Sequence, residues 1–423
     1  MAAAEHERLR LGKANFLDAE EDVSNMVKLT LSQSLNDEGV ISFRLPGDPE
    51  RHTDLNSVFL RLELRAEKRN GGDLVTTAPP AAGGPAEDHV CPEGGGMHSL
   101  FKSCDVFLNE HHVSGMIFYP YTAALTRYLG CTADMRTTWA AFDQSYDWQM
   151  AKSDMTTGVA PGWMNTRRNA AAQTHVATGR IFSDILMSSR QLLPPGVSLR
   201  IDLRRAPDHF SLISNATAGP NNAYRVKINY AMLYVKRIKL RPSLRHSVSS
   251  QNAFLTFNRL NTYSIAVAQG SRIFRWLNCL NGAPMPNRLY VAFAAQESVQ
   301  GTLTRGSTYF ENLNLSSLNF KLNGRDLLVE PLLTSVTKTA GGSTNVAASD
   351  LSRGYLSLLE VLNQIADQTT PLRLSYSSYV QGNTFFAVEL GKCGSKVGST
   401  GSLDLEVLTD ETCNLLTERL CCS

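Results

Sequence analysis

The residues best suited to chemistry form one short cluster, Glu110-His111-His112. Two histidines beside a carboxylate are ligand types that Zn²⁺ prefers. The cluster follows an alternating apolar stretch that ends in Leu108-Asn109, which predicts a β-strand running into a turn. Neighbouring strand residues point to opposite faces, so His111 and His112 would not reach one metal ion. We therefore predict a hairpin tip here rather than a metal site.

Two further sets of residues are candidates for hydrolysis. His98 and Ser99 are a possible base and nucleophile, but the sequence places no acid beside them to complete a triad. Glu63 and Asp202 occupy polar positions of two predicted strands, and a glycosidase would need such a pair about 5–9 Å apart. Carboxylates at these positions are usually only solvated. The sequence contains no phosphate-binding loop, zinc-protease or serine-hydrolase motif, and we predict no catalytic, cofactor-binding or metal-ligating residue.

The cysteines show no metal-binding or disulfide pattern. No Cys-x-x-Cys pair occurs, and no group of cysteines and histidines has zinc spacing. Free thiols in a reducing compartment are expected, with a terminal lipidation or disulfide site as the less favoured alternative. The eight positions are Cys91, Cys104, Cys131, Cys279, Cys393, Cys413, Cys421 and Cys422.

The N-terminal residues carry no apolar segment of the kind found in signal peptides. No run approaches the roughly 18 apolar residues of a membrane span. We therefore expect a chain that is made in the cytosol and not secreted, and the sequons at Asn215 and Asn314 are expected to stay unglycosylated.

The net charge of +2 comes from 41 basic and 39 acidic residues. Gripping DNA by its phosphates needs a concentrated basic face, which this balance does not indicate. The basic positions Lys236, Arg237, Lys239 and Arg241 are expected to be solvated. Charged residues make up only 19% of the chain, so much of its surface is predicted to be uncharged, as at subunit interfaces or in polar loops.

Strand patterns dominate the 423 residues. Residues 60–65, 197–204, 224–230 and 289–293 alternate apolar and polar positions, which predicts antiparallel strands with one solvated face. Helices are predicted for residues 121–129 and 355–366, the second burying Leu358, Leu362 and Ile365. Large loops are predicted at 71–96, 131–178 and 334–349, and an interdomain linker at 241–252. The aromatic residues at strand spacing are expected in the core rather than stacked on bases; they are Phe107, Tyr224, Tyr230, Tyr290 and Phe320.

A strand-and-turn phrase occurs twice, about half a chain apart. It reads FKSCDVFLNE up to Glu110 and LSSLNFKLNG up to Gly324, and the second copy carries the Asn-Gly signal of a tight hairpin. Two similar units in a chain of this length predict two tandem β domains of about 200 residues each.

The order of several short phrases resembles a known family. They are FRLPG at 43–47, GMHSLF at 96–101, VFLN at 106–109, LLPPGV at 192–197, MPNRLYVAF at 285–293 and RGY at 353–355. Together they resemble the major capsid protein of Polinton (Maverick) elements and their adintovirus relatives, over roughly residues 18–405. The C-terminal ending and residues 366–391 depart from the family pattern.

The resemblance implies an all-β double jelly roll, made of two eight-stranded antiparallel sandwiches with long surface loops and a few short helices. Residues 1–20 would form a flexible arm, 21–242 the first jelly roll and 253–423 the second, whose final strand is expected to be degraded. The implied role is structural: homotrimeric, pseudo-hexagonal capsomers tile an icosahedral shell around double-stranded DNA. Implied partners are further copies of the chain and a single-jelly-roll penton protein, in a virion capsid assembled in the nucleus. The loops at 71–96 and 131–178 are expected to project and clasp neighbouring copies.

Two alternatives to the capsid role stay open at this stage. One is a domesticated, capsid-derived cellular protein with a binding role. The other is a double jelly-roll hydrolase that cleaves glycans, which would need two close carboxylates in a groove between the lobes.

Overall fold

The fold is taken from a computed structural model of the whole chain. The residues described are 21–31, 39–75, 88, 90–145, 172–188, 192–214, 223–240, 255, 257–267, 273–279, 285–310, 315–333, 348–365, 374–390, 403–409 and 418–422. The predicted arm at 1–20, the predicted linker at 241–252 and both sequons lie outside these residues.

The chain divides into two units. The first comprises Met1–Ala124, Thr138–Ser145 and Thr156–Leu260, and the second comprises Leu125–Thr137, Tyr146–Met155 and Asn261–Ser423.

Antiparallel strands build the first unit. One sheet has the order β1-β11-β3-β7, with β8 paired to β3; a second has the order β2-β9-β5-β6; β4 and β10 pair with each other. The strands are β1 (Glu21–Thr30), β2 (Val40–Leu45), β3 (Arg51–Lys68), β4 (Val90–Pro92), β5 (Phe101–Leu108), β6 (His111–Met116), β7 (His175–Arg180), β8 (Leu192–Leu193), β9 (Leu199–Arg205), β10 (Leu212–Ser214) and β11 (Tyr224–Leu240).

The second unit repeats this plan. Its sheets have the orders β12-β20-β14-β18 and β13-β19-β15-β16, with β17 paired to β15. The strands are β12 (Tyr263–Val267), β13 (Ile273–Trp276), β14 (Arg288–Ala295), β15 (Leu315–Leu322), β16 (Arg325–Asp326), β17 (Leu332–Leu333), β18 (Phe385–Glu389), β19 (Leu403–Thr409) and β20 (Glu418–Cys422).

The strand order identifies a jelly roll in each unit. When the eight strands of the two main sheets are counted in chain order, each unit reads 1-8-3-6 in one sheet and 2-7-4-5 in the other. This is the double-sheet, Greek-key arrangement of a jelly roll. The predicted double jelly-roll fold is therefore confirmed. The eighth place in the second unit is filled by β20, which pairs with β12 and β14.

Alternating side chains form the core of the first unit, as the sequence pattern predicts. Leu60, Leu62 and Leu64 of β3 are buried, whereas Arg61 between them is exposed. The same holds for β9, whose Leu199, Ile201 and Leu203 are buried on the facing sheet. In β14 the prediction of a solvated face is wrong, because Ala292 and Ala294, which lie on the face opposite Val291 and Phe293, are buried too.

Short helices complete the fold. They are a 3-10 turn (Gly96–Leu100), α1 (Tyr119–Gly130), α2 (Ala133–Asp143), α3 (Asp184–Ser188), α4 (Asp208–Ser211), α5 (Gln296–Gln300), α6 (Ala348–Val361) and α7 (Tyr376–Gly382). The helix predicted for 121–129 is confirmed as α1. The prediction of one long loop over 131–178 is wrong, because it contains α2 and the start of β7; the loop predicted at 71–96 contains β4.

The helix predicted for 355–366 begins and ends earlier than its pattern indicates. Asn363 adopts a left-handed conformation with φ of 56°, and its N–H donates to Glu360 O while Gln364 N donates to Leu359 O. These two bonds form the motif that stops helices at a left-handed residue. Leu358 and Leu362 are buried as predicted, but Ile365 lies beyond the stop and is 52% exposed.

Gly47 lies against the turn before β9. A Cβ at Gly47 would overlap the carbonyl oxygen of Gly196, a residue whose φ of +81° favours glycine and whose N–H donates to Asp48 O at 2.7 Å. We expect Gly47→Ala to lower the free energy of unfolding by about 1–3 kcal/mol, because backbone atoms cannot yield as a flexible side chain can. Urea titration measures this. Gly130→Ala is the control, since its Cβ would meet Thr126 Cγ2 at an ordinary 3.6 Å; equal midpoints for the two variants would contradict the prediction.

Candidate functional site

The cluster Glu110-His111-His112 lies at a hairpin tip, as predicted. β5 and β6 are joined by Asn109 and Glu110, whose φ angles are 48° and 62°. Two consecutive left-handed residues are the signature of the tight hairpin turn that matches strand twist. The second repeat forms the same turn with Asn323 and Gly324, at 51° and 78°. The internal similarity seen in the sequence is therefore a repeated turn geometry.

Glu110 occupies a backbone position that glycine occupies in the second repeat, and its carboxylate is clamped there by two cations. Arg44 of β2 donates to Glu110 Oε1, and Arg200 Nη1 of β9 donates to Oε2 at 2.7 Å. The Arg200 guanidinium also lies 3.9 Å from the centre of the Phe107 ring, a favourable cation–π geometry. The hydrogen bond from Arg44 and the charge of Arg200 lower the pKa of Glu110.

Phe107 therefore lies beside Arg200 and Glu110 at the surface, and the prediction that it lies in the core is wrong. Tyr230, which is 37% exposed, is also wrongly predicted as core, whereas Tyr224 and Phe320 are buried as expected. The prediction that the basic residues before the linker are solvated is wrong for Arg237. This residue is buried and donates to Pro46 O, with Asp48 as its ion-pair partner at 3.5 Å.

The two carboxylates considered for sugar hydrolysis lie in different sheets, Glu63 in β3 and Asp202 in β9. The structure instead places Asp105 directly opposite Asp202. Like charges in this position repel. Arg200 Nε lies 3.5 Å from Asp202 Oδ2, and Ser42 Oγ donates to Asp202 at 2.5 Å. His112 Nε2 lies 3.2 Å from Asp105 Oδ1.

The structure also bears on metal binding at the hairpin that carries Glu110, His111 and His112. Within the described ranges, no three His, Cys, Asp or Glu side chains converge as a metal-binding group.

His98 does have an acid partner, which the sequence did not reveal. His98 Nε2 lies 3.6 Å from Asp143 Oδ2 at the end of α2, and Nδ1 lies 2.9 Å from the Tyr119 hydroxyl of α1. All three side chains are buried. Ser99 takes no part, because its hydroxyl donates to Gly96 O. The arrangement is thus a buried Tyr–His–Asp chain and not a serine triad.

The buried environment of Tyr119 decides the protonation of its hydroxyl. Burial raises the pKa of Tyr119 well above its usual value, so the hydroxyl keeps its proton. The Phe182 N–H donates to the Tyr119 oxygen at 3.4 Å. His98 Nε2 faces Asp143 but, at 3.6 Å, forms no hydrogen bond with it.

Two glycines make room for the end of α2. A Cβ at Gly96, whose φ is +58°, would overlap Asp143 O and Ser145 N, and one at Gly179 would lie 2.8 Å from Met97 Sδ and 3.1 Å from Asp143 Cβ. Asp143 also accepts from the N–H of Ser145 at 2.8 Å and from its hydroxyl. The end of α2 is thus anchored in a notch of the first unit. The sequence of residues 133–143 gives no strong signal for a helix, and it gives no signal that Asp143 contacts His98.

Cys91, Cys104, Cys131 and Cys279 are buried free thiols. Burial raises the pKa of Cys104 and raises that of Cys279 to about 11, so neither is a reactive thiolate. For the terminal pair Cys421-Cys422, free thiols stay the prediction, with lipidation or a disulfide as the less favoured alternative.

The sequence matches no family model and no curated protein. The fold, in contrast, is similar to that of solved viral structures over nearly its full length. A chain of the Sputnik virophage cryo-electron-microscopy structure aligns with a TM-score of 0.58 and 12% identity, over 98% of this chain and 88% of that one. The Faustovirus major capsid protein aligns at 0.54 and 10%, over 98% and 91%.

A chain of the PBCV-1 virus capsid aligns at a TM-score of 0.53 and 12% identity, over 97% of this chain and 94% of that one. At these identities the likeness shows the fold, and that fold is the double jelly roll. None of the described helices is long and apolar enough to cross a membrane.

We expect the stability contributed by Glu110 to depend on pH. Its pKa is lowered in the folded chain, so the contribution is complete above the ordinary glutamate pKa of about 4.3 and is lost as pH falls through the lower folded value. The difference in urea midpoint between the natural chain and Glu110→Gln should therefore be largest near neutral pH and vanish in acid. In an Arg44→Gln/Arg200→Gln background the same substitution should change little; an equal effect in both backgrounds would contradict the clamp.

Removing the Asp143 carboxylate should destabilise the first unit. Asp143→Ala leaves the buried N–H and hydroxyl of Ser145 without their acceptor, which typically costs about 1–3 kcal/mol. Urea unfolding checks this. Asp134→Ala, at the exposed start of the same helix, is the matched control and should cost less. If the control is the more damaging substitution, the anchoring role of Asp143 is wrong.

Proposed function

We propose that this protein is a viral major capsid protein of the Polinton/adintovirus type, which assembles as a homotrimeric capsomer. The observation that carries the proposal is the repeated 1-8-3-6 and 2-7-4-5 strand order, combined with alignment over 97–98% of the chain to viral capsid structures. Residues 21–242 and 253–423 are the two proposed jelly rolls, and residues 1–20 are the proposed arm.

The geometry supports a tiling role. A subunit with two similar β lobes gives a trimer six lobes, so three identical chains make a nearly hexagonal tile. Capsomers of this kind would contact one another and a single-jelly-roll penton protein, and would enclose double-stranded DNA in a virion assembled in the nucleus. Stable assembly needs interfaces of about 2,000 Å² or more, and a chain with 19% charged residues has the uncharged surface for them.

Exposed apolar side chains on β13 support self-association. This strand pairs only with β19 among the described strands. Ile273 is 59% exposed, and Leu277, which follows the strand, is 68% exposed. Exposed apolar side chains at an edge strand are an aggregation risk for a monomer, and burial against another copy removes that risk.

We expect size-exclusion chromatography with light scattering to give a mass three times the 46.4 kDa of the chain. Ile273→Asp should shift the protein toward monomer, because it puts a charge into the proposed contact, whereas Ile273→Val should leave the trimer intact. Circular dichroism of both variants tests that each is folded. A folded monomer for the natural chain across a range of salt would overturn the capsomer and favour the domesticated, capsid-derived binding protein.

A further inference from the structure

One side of the β1-β11-β3-β7 sheet gathers positive charge. Strand register places six cations on the side opposite the core, and we call this surface the basic face. They are Lys28, Arg61, Arg65, Arg180, Arg225 and Lys227. The same side carries two strand carboxylates, Glu63 and Glu67, so this one surface is more positive than the whole chain at +2. The small net charge of the sequence conceals this segregation.

Half of these cations are available to a ligand. Arg65 pairs with Asp73 at 2.5 Å and Arg225 pairs with Glu67 at 2.5 Å, while Arg180 donates to Asn56 O. Lys28, Arg61 and Lys227 are exposed. No described carboxylate lies within ion-pair distance of any of these three.

Aromatic side chains lie between the cations. Tyr230 is 37% exposed, and Lys28 Nζ lies 5.9 Å from the centre of its ring. Tyr234 lies four residues further along β11, next to Phe59 of β3. Phe59 stacks on Trp139 of α2 with ring centres 6.2 Å apart and planes at 21°. An exposed ring beside exposed cations is the combination that binds single-stranded nucleic acid, since bases stack on such rings and phosphates contact the cations.

A second copy of the chain is a poorer match for this surface. Two basic faces repel each other. Elsewhere in the described chain, several exposed carboxylates are already paired with cations of the same chain, as in Glu110 with Arg44 and Glu330 with Arg353.

We propose that the basic face binds single-stranded nucleic acid without sequence preference, through Lys28, Arg61, Lys227 and the ring of Tyr230. A sheet surface of this type offers adjacent strands about 4.8 Å apart, which lets cations on β1, β3 and β11 follow one extended backbone. This binding does not depend on the capsid proposal, because it needs only the first unit's sheet.

Fluorescence anisotropy with a labelled thymidine oligonucleotide of about 20 residues tests the proposal. The oligonucleotide should bind more tightly than a duplex of equal length and than a polyglutamate peptide of equal charge. Its affinity should fall about tenfold between roughly 50 and 200 mM salt, as expected for a few released counterions. Light scattering on the same samples follows oligomeric state, so failure of binding and failure of assembly are distinguished.

Variants locate the site. Lys28→Glu/Arg61→Glu/Lys227→Glu should abolish binding, whereas Lys102→Glu/Arg204→Glu/Arg325→Glu, which reverses three exposed cations elsewhere, should retain most of it. Tyr230→Ala should weaken oligonucleotide binding by about fivefold to a hundredfold, the range for one stacked base. Tyr230→Phe keeps the ring and should bind as tightly as the natural chain. Equal loss in both triple variants, equal or tighter binding of the duplex or of polyglutamate, or no binding at all would overturn the proposal.

Discussion

The insertion of the last strand between the first and third is the constraint on which each jelly roll depends. In the first unit β11 pairs with β1 on one side and β3 on the other along most of its length. It buries Leu233, Val235 and Ile238 in the core. The two partners of β11 lie more than half the unit away along the chain, so the strand order of this sheet forms only when distant segments meet. The entropy cost of closing these long loops must therefore be met before strand pairing stabilises the fold.

This closure decides what the rest of the surface can do. Register fixes which side chains of β11 and β3 face out, because a shift of one residue would exchange the core and solvent sides. The segregation of Arg61, Lys227 and Tyr230 onto one surface is a direct result. The anchoring of α2 by Asp143 and His98 likewise needs Gly179 of β7 to be in its final place beside β3.

Tight turns show how the two repeats solve one problem with different residues. The second repeat uses Asn323-Gly324, in which glycine accepts the left-handed conformation freely. The first uses Asn109-Glu110, where a side chain in that conformation is less favourable, and the arginines on β2 and β9 hold its carboxylate in place. A local signal therefore predicts the second turn, while the first depends on contacts with distant strands.

The sequence by itself determined the strand periodicity, the Asn323-Gly324 turn and α1, because alternation and turn chemistry are local properties. Only the tertiary structure decided that Phe107 lies under a guanidinium, that Arg237 is buried, that α2 replaces part of a predicted loop, and that Asp143 reaches His98. Each of these outcomes depends on residues far apart in the chain, whose proximity is set by strand order and register. A net charge summed over the sequence cannot reveal how folding sorts cations to one side of a sheet.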